Sequence, residues 1–243
     1  MKTLAVIAQK GGAGKTTVAL NLAVEASRRG ASVIVLDLDP QASAAAWSDW
    51  RGKDDVPVVA VPSTRLSHVL KEAEEADVGL VVIDTPPAAD GAAVAAARAA
   101  DLILIPARAS AFDLDAIRTT IELMRVAQKP AFALLNALPP RASKLKQEAA
   151  ALIEEAGLPL VSVEVTERSA FRHAALLGLG AMEFEPEGKA AAEIERLYDW
   201  LADRLGNGSK PNLTLSGDCG GAAAKRVKGL CDHSLDVQAE LPL

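Results

Sequence analysis

The stretch QKGGAGKTT, residues 9–17, is the most informative part of the sequence. It follows a short apolar run, TLAVIA, residues 3–8, and precedes VALNLAVEASRRG, residues 18–30, in which apolar residues recur at helical spacing. A glycine-rich turn between a buried strand and a helix lets backbone N–H groups converge on phosphate oxygens, and the helix dipole adds positive charge there. The stretch therefore predicts a phosphate-binding loop.

The side chains of this loop have separate predicted roles. Lys15 is placed to reach the β- and γ-phosphates, and the Thr16 hydroxyl is placed to ligate Mg²⁺. Gln9 occupies the place of the loop's usual opening glycine, and an extra lysine, Lys10, follows it. The residues predicted to bind the nucleotide here are Gly11, Gly12, Ala13, Gly14, Lys15, Thr16 and Thr17.

Composition limits the classes of protein that are possible. Half of the 243 residues are hydrophobic but only 3% are aromatic, which suits strands buried on both faces under alanine-rich helices. The formal net charge of −6 excludes a polycation, so any nucleic-acid contact must come from a local basic patch. The two cysteines, Cys219 and Cys231, lie in the last 25 residues, which excludes a disulfide or cysteine–metal framework in the body. We expect a cytoplasmic protein, because neither a signal peptide nor an apolar run long enough to span a bilayer is present.

Short apolar runs alternate with helical patterns along most of the chain. This alternation predicts an α/β fold with a mostly parallel sheet and helices on both faces, and ligands should collect at the carboxyl ends of its strands. The predicted strands are residues 3–8, 32–38, 57–61, 79–84, 101–106, 131–136 and 159–165. The predicted helices include residues 15–29, 64–76, 91–99, 113–127, 143–156 and 189–205.

The periodic pattern stops near residue 205. We interpret residues 1–205 as one domain and residues 206–243 as a disordered or atypical tail, with a cloning or frameshift remnant as one origin and a specialised interaction tail as the alternative. The tail contains AAAKRVKGL, residues 222–230, which is basic and partly apolar. That segment is too short and broken to predict a membrane helix.

The segment KGGAGKT, residues 10–16, resembles the deviant Walker A motif of the ParA/MinD group of P-loop ATPases. The resemblance implies a P-loop NTPase fold with ATP and Mg²⁺ as cofactors. It also implies that Lys10 is a signature lysine, which crosses to the other subunit of a homodimer and contacts the phosphates of the partner's ATP. A cation supplied in this way meets the charge that develops on the transferred phosphoryl group, as an arginine finger does.

Three further motifs extend this resemblance. DLDPQ, residues 37–41, is similar to the family's switch I, which implies that Asp39 positions the attacking water and that Asp37 supports Mg²⁺. GLVVIDTPPAAD, residues 79–90, is similar to Walker B and switch II, with Asp84 holding Mg²⁺. AFALLNALPPR, residues 131–141, offers Asn136 where the family contacts adenine. By this resemblance the catalytic residues are Lys10, Lys15 and Asp39, and the metal residues are Thr16, Asp37 and Asp84.

Four branches of this group compete. An iron–sulfur carrier or nitrogenase-reductase relative is set aside, because the cysteines lie only in the tail. A MinD-like membrane-associated ATPase is disfavoured by the tail, and we expect no stable membrane association. A non-catalytic scaffold is disfavoured because Lys10, Lys15, Asp39 and Asp84 are all present.

A ParA-type DNA partition ATPase is the preferred interpretation, of the small plasmid type without an N-terminal helix-turn-helix domain, since no residues precede the first predicted strand. Its implied partners are a second copy, non-specific DNA at the nucleoid and a ParB-like centromere-binding protein that stimulates slow hydrolysis. A related ATPase that positions another cargo, such as carboxysomes, is the alternative.

Basic residues late in the chain are candidates for DNA contact. In the family, such residues form a patch once dimerisation joins two halves, and phosphate contacts of this kind carry no sequence preference. A solvated helix face is the alternative for each of them. The candidates are Arg141, Lys144, Lys146, Arg168 and Arg172.

Overall fold

The computed structural model describes residues 1–87, 91–110, 120, 121, 124, 125 and 127–206. The strands are β1 Lys2–Val6, β2 Val33–Asp37, β3 Val58–Ala60, β4 Leu80–Asp84, β5 Leu102–Ala107 and β6 Ala131–Leu135. The helices are α1 Lys15–Arg28, α2 Ser43–Arg51, α3 Leu66–Glu75, α4 Gly91–Ala99, α5 Ser143–Glu155, α6 Ser169–Leu176, α7 Ala181–Phe184 and α8 Lys189–Leu205. A 3₁₀ turn, Ser63–Arg65, leads into α3.

The strands form one sheet in the order β3-β2-β4-β1-β5-β6, and every pairing is parallel. All residues of β2, β4 and β5 are buried, as expected for strands covered on both faces. The prediction of an α/β fold with a mostly parallel sheet is therefore confirmed.

Two separate hydrophobic layers flank the sheet. Because strand side chains alternate between faces, Leu4 and Val6 of β1 pack with α1, α2 and α8, whereas Ala5 and Ile7 pack with α3, α4 and α5. Alanine lines much of α4, so this helix approaches the sheet closely without aromatic filling. The helices predicted on both faces are thus present.

The predicted strand at residues 159–165 is wrong. This segment and the residue after it form two isolated bridges, Ala133 with Leu160 and Leu138 with Thr166, together with separate backbone hydrogen bonds to the edge of the sheet. The N–H of Ala133 donates to the Pro159 carbonyl at 2.9 Å, but Pro159 has no N–H to return. The segment therefore covers the edge of β6 without forming a continuous ladder.

The sequence prediction also missed helices. Residues 43–51, 169–176 and 181–184 lie outside the helices predicted above, but they are helical as α2, α6 and α7. Of the predicted helix at 113–127, residues 120, 121, 124, 125 and 127 are helical and the others lie outside the described residues. Residues 207–243, most of the predicted tail, also lie outside them.

Candidate functional site

The strands place the predicted site residues at one edge of the sheet. The glycine-rich loop follows β1, Asp37 ends β2, Asp84 ends β4 and Asn136 follows β6. Asp37 and Asp84 are register partners on neighbouring strands. Because all the strands are parallel, their carboxyl ends converge where ligands bind in open α/β sheets.

The loop conformation depends on Gly14. Its φ is 91°, a left-handed conformation, and it directly precedes α1. A Cβ at this position would lie 2.2 Å from Nδ2 of Asn136. That Nδ2 donates to the Ala13 carbonyl at 2.7 Å, so the Asn136 amide holds the loop from the side of β6. The predicted contact of Asn136 with adenine stays a prediction beside this observed role.

Thr16 and Asp84 form a hydrogen-bonded pair beneath the loop. The Thr16 hydroxyl donates to Oδ2 of Asp84 at 2.6 Å, across 68 residues of sequence. Oδ1 of Asp84 is buried and has no hydrogen-bond partner among the described residues. Burial raises the pKa of Asp84 to about 7, with smaller opposing effects from Thr16 and Lys15. A hydroxyl beside an unpartnered carboxylate oxygen fits a hard divalent cation such as Mg²⁺.

Lys15 brings positive charge to the same place. Its residue is buried, and burial lowers the pKa of its ammonium group, while Asp84 and Asp39 act in the opposite direction. Burying an ammonium group is costly unless an anion compensates it. A phosphate at the loop would supply that anion and stabilise the charged form.

Asp37 holds the turn that carries Asp39. Its Oδ1 accepts the N–H of Asp39 at 3.0 Å, and its Oδ2 accepts the N–H groups of Ala44 and Ala45 at 2.9 and 3.2 Å. These donors lie in switch I and at the start of α2, where helix N–H groups need an acceptor. Asp39 is half-buried, and its own Oδ1 accepts the N–H of Gln41 at 2.9 Å. The metal role of Asp37 and the water-positioning role of Asp39 stay predictions.

The switch II turn packs against the loop. The Thr85 hydroxyl donates to the Val6 carbonyl at 2.9 Å, which ties the end of β4 to β1. Pro87 faces Gly11, where a Cβ would be 3.9 Å from Cβ of Pro87. The turn after β4 therefore lies beside the glycine-rich loop. The last residues of the motif, 88–90, lie outside the described residues.

Lys10 and Gln9 lie at the start of the loop, and both are half-buried. Nε2 of Gln9 is buried, and no described atom accepts a hydrogen bond from it. The predicted role of Lys10 concerns a second copy of the chain, so it stays a prediction.

The candidate DNA-binding residues lie on two neighbouring segments, which the bridge between Leu138 and Thr166 joins. Lys146 pairs with Glu164 at 2.5 Å, and Arg168 pairs with Glu193 at 2.6 Å. Nζ of Lys144 lies 3.8 Å from Oε1 of Glu148, and Nη1 of Arg172 lies 3.5 Å from Oε1 of Glu167. Arg141 is exposed at the end of its loop with a φ of 64°. The structure thus brings the five residues to one region, and their contact with DNA stays a prediction.

Sequence reasoning missed two buried polar residues that link the site to the rest of the fold. Asn21, on α1, donates from Nδ2 to the Thr17 carbonyl, and its Oδ1 accepts the N–H of Ala181, both at 2.8 Å. Arg51, at the end of α2, donates to Asp55, to Glu183 and to the Gly178 carbonyl. Several of their partners lie far away in the sequence, at up to 160 residues, so no short motif identifies either residue. The one available signal is a polar residue, Asn21, within an apolar helix face.

A parallel sheet with a glycine loop after its central strand, and a Lys–Thr–Asp group beneath that loop, define a P-loop NTPase. The chain belongs to the ParA/MinD family of P-loop ATPases: the CobQ/CobB/MinD/ParA nucleotide binding domain (CbiA) matches residues 4–180. This match confirms the family resemblance read from the motifs.

Individual relatives differ in their described tasks. The chain is 34% identical over 200 residues to "Maintenance of carboxysome distribution protein A" of Halothiobacillus neapolitanus, covering 79% of this chain and 91% of that protein. It is 29% identical over 208 residues to "Protein ParA" of Rhizobium radiobacter, covering 80% of this chain and 92% of that protein.

Solved structures support the fold. Apo McdA of Cyanothece superimposes with a TM-score of 0.67 at 20% identity, covering 81% of this chain and 98% of that one. The cell division ATPase MinD of Pyrococcus furiosus gives a TM-score of 0.66 at 21% identity, covering 82% and 98%. At these identities the likeness shows the fold alone.

Proposed function

We propose that this chain is an ATPase that binds Mg·ATP, dimerises around it and uses the ATP-bound dimer to position a large cargo over DNA. The observation that carries the proposal is the group of Lys15, Thr16 and Asp84 beneath the loop: Lys15 and Asp84 are buried, and one Asp84 oxygen has no partner among the described residues. The positive charge of Lys15 and the unpartnered oxygen of Asp84 suit a nucleoside triphosphate with its bound cation.

Each residue of the site has a proposed task. The loop backbone and Lys15 bind the phosphates, while Thr16 and Asp84 hold Mg²⁺. When bound, Mg²⁺ supplies neutralisation of the phosphate charge. Asp39 orients the attacking water, and Asp37 keeps Asp39 in place through the hydrogen bond at 3.0 Å. The Asn136 amide keeps the loop closed against β6.

Lys10 makes the cycle depend on two copies of the chain. In this proposal it reaches the partner's phosphates, so the nucleotide becomes part of the dimer interface. Hydrolysis removes that contact and weakens the dimer, because a ligand shifts an equilibrium only by its difference in affinity for the two states. A partner protein that stimulates hydrolysis would set the lifetime of the DNA-bound dimer.

The comparisons favour a protein cargo over a partition complex. Two proteins described as maintaining carboxysome distribution are each 34% identical over more than nine-tenths of their own length. The ParA of Rhizobium radiobacter is 29% identical over a similar span. We therefore propose a carboxysome-type cargo first, and a plasmid or chromosome complex bound by a ParB-like protein second.

Retention on DNA tests the ATP-dependent cycle that we propose for either cargo. The purified chain is passed over immobilised non-specific DNA with Mg·ATP or Mg·ADP, across a salt series. We expect ATP-dependent retention that falls by about 10³ or more between about 50 and 200 mM salt, as several phosphate contacts require. Equal retention with ATP and ADP would contradict the proposal.

Binding to liposomes tests the MinD-like alternative, in which the protein attaches to a membrane. Across the described residues, no helix combines the length and apolar character needed to cross a bilayer. Flotation of the same preparation with anionic vesicles and Mg·ATP measures peripheral attachment. ATP-dependent flotation together with weak DNA retention would replace the DNA-based cycle with a MinD-like one.

A further inference from the structure

An exposed apolar surface lies away from the nucleotide site. It consists of Trp50, Leu176, Leu177 and Phe184, which are 58%, 70%, 56% and 39% exposed. We call these four residues the apolar surface. Side chains of this size rarely stay exposed in a group unless something binds them.

The four residues are neighbours in space. A Cβ on Gly178, next to Leu177, would lie 2.5 Å from the carbonyl carbon of Trp50, so α2 and the end of α6 touch. The rings of His173 and Phe184 are 6.0 Å apart between centroids. Leu176 and Leu177 follow His173 by three and four residues on or just after α6, and therefore lie on the same side of the helix.

The base of this surface is held rigidly. The Arg51 side chain, 1% exposed, donates two hydrogen bonds to Asp55, two to Glu183 and one to the Gly178 carbonyl. Nε1 of Trp47 also donates to the Leu179 carbonyl at 3.4 Å. With its base fixed on both sides, the apolar surface cannot fold inward to bury itself.

Acidic residues lie close to Trp50 and Phe184 along the chain, and we call the four of them the acidic rim. Asp49 and Asp54 flank Trp50 in the sequence, and Glu185 and Glu187 follow Phe184; all four are exposed. Three exposed cations are also nearby in the sequence. Nζ of Lys53 lies 3.3 Å from Oε1 of Glu183, and Nη1 of Arg172 lies 3.5 Å from Oε1 of Glu167. The third cation, Lys189, is the first residue of α8. A binding segment that is apolar and positively charged would complement such a surface.

One segment of this chain has that composition. Residues 222–230, AAAKRVKGL, combine three cations with alanines, Val227 and Leu230. We propose that residues 222–230 dock on the apolar surface of their own chain, with Lys225, Arg226 and Lys228 facing its acidic rim.

The connecting chain is long enough for this contact. The described residues end at Gly206, after α8, and α8 begins five residues beyond Phe184. The return distance is therefore about 25 Å, the length of a 17-residue helix. Residues 207–221 can span up to about 50 Å when extended, and about 21 Å on average as a flexible chain.

Disulfide trapping tests the proposal in the full chain. The chain has only two cysteines, and Cys231 directly follows the proposed segment. Leu177→Cys is combined with Cys219→Ser, so that Cys231 is the single thiol of the tail. The matched control is Leu152→Cys in the same background, because Leu152 is a comparably exposed leucine on α5. Diamide serves as the oxidant, and peptide mapping identifies the linked cysteines.

We expect the intramolecular disulfide to form at least about fivefold faster from position 177 than from position 152, because docking raises the local thiol concentration. Reversing the tail charges with Lys225→Glu, Arg226→Glu and Lys228→Glu should abolish the difference. Raising the salt concentration should reduce it, since the ion pairs are exposed.

Four results would overturn the proposal. Equal rates at the two positions would show that the segment has no preference for the apolar surface. A difference that survives charge reversal would remove the role of the acidic rim. Disulfide-linked dimers in place of the intramolecular bond would assign the surface to a second copy, and flotation on anionic vesicles that Trp50→Ser abolishes would assign it to a membrane.

Discussion

The surroundings of Asp84 fit a residue that binds a cation. It is fully buried at the end of β4, it accepts one hydrogen bond from Thr16, and its second oxygen has no partner among the described residues. Burial raises its pKa to about 7, so the metal-free protein holds a proton that an exposed aspartate would release. The motif predicted Asp84 as a metal residue, and its surroundings fit that assignment.

The stability of the metal-free, nucleotide-free protein should depend on Asp84 through pH. The folded carboxyl binds its proton more tightly than the unfolded one, whose pKa is 3.8, so the free energy of unfolding should fall as pH rises from 3.8 to about 7. Asp84→Asn cannot titrate and should lack this component. Urea unfolding of both proteins at pH 5, 6, 7 and 8 measures the difference. A constant difference between wild type and variant would contradict the raised pKa.

Sequence reasoning at the residue scale succeeded where a motif fixes the chemistry. Thr16 and Asp84 were assigned to one site and lie in direct contact. It could not find the contact of Asn136 with Ala13, because that contact depends on the path of two loops from different strands. Arg51 was missed for a similar reason, since a buried guanidinium is stable only where distant carboxylates such as Glu183 compensate it.

At the scale of elements, α2 depends on Asp37. This helix begins after Ala42, which has a left-handed φ of 51° and makes no side-chain cap hydrogen bond. Asp37 instead accepts the N–H groups of Ala44 and Ala45 from the end of β2. The cap therefore comes from a residue six positions before the helix starts, and it connects switch I to the sheet.

Removing that cap should loosen α2. Asp37→Ala leaves three backbone N–H groups without their acceptor and should cost about 1–2 kcal/mol of unfolding free energy, as lost helix caps do. Hydrogen exchange should rise in residues 39–47 before it rises elsewhere. Asp49→Ala, an exposed change in the same helix, is the control and should change stability by less than about 0.5 kcal/mol. Similar losses in both variants would contradict a capping role.

The join between α2 and α6 should tolerate no side chain at Gly178. Gly178 has a φ of 66°, and a Cβ there would lie 2.2 Å from the backbone nitrogen of Arg51. Gly178→Ala should therefore cost about 3 kcal/mol or more, from the left-handed conformation plus the clash. Gly157→Ala is the matched control: its φ is 84°, nothing lies within 4 Å, and we expect about 1 kcal/mol. Equal losses in thermal or urea unfolding would show that the two helices can move apart.

Elements were predicted well where hydrophobic periodicity was strong and poorly where it was not. The central strands were placed within about two residues, because their apolar runs are buried on both faces. Helix α2 was missed because SAAAWSDWR contains no Val, Ile, Leu or Met to mark a helical stripe, and it follows a Pro–Gln turn. Residues 159–165 resemble a strand in composition, but they meet the edge of the sheet at isolated points, and Pro159 has no N–H to donate to a ladder.

At the scale of the whole molecule, the proposed function requires two copies of the chain. The described site lies at the open carboxyl edge of the sheet, where Lys10 and Asp39 are half-buried rather than enclosed. The family and the fold followed from four short motifs. The cargo did not, because cargo is chosen by surfaces whose residues obey no comparable spacing rule.

Lys10 should therefore control assembly without controlling nucleotide binding. Lys10→Ala should bind Mg·ATP within about threefold of wild type, yet remain monomeric where wild type dimerises, because a contact that crosses the interface adds affinity only in the dimer. Calorimetry measures the binding, and sedimentation velocity with a slowly hydrolysed ATP analogue measures the assembly. Lys144→Ala, a change at an exposed lysine outside the loop, is the control. An ATP-dependent dimer of Lys10→Ala would rule out the proposed bridge.

Residues 159–165 cover the outer edge of β6 and affect how that edge can meet other chains. At Ala133, Pro159 accepts a hydrogen bond and Val161 donates one, and Val165 bonds to Leu135 and Leu138. These contacts occupy polar groups that a bare outer strand would offer to any passing polypeptide. The irregular segment on that flank should therefore limit edge-to-edge strand pairing between copies of the chain at high concentration.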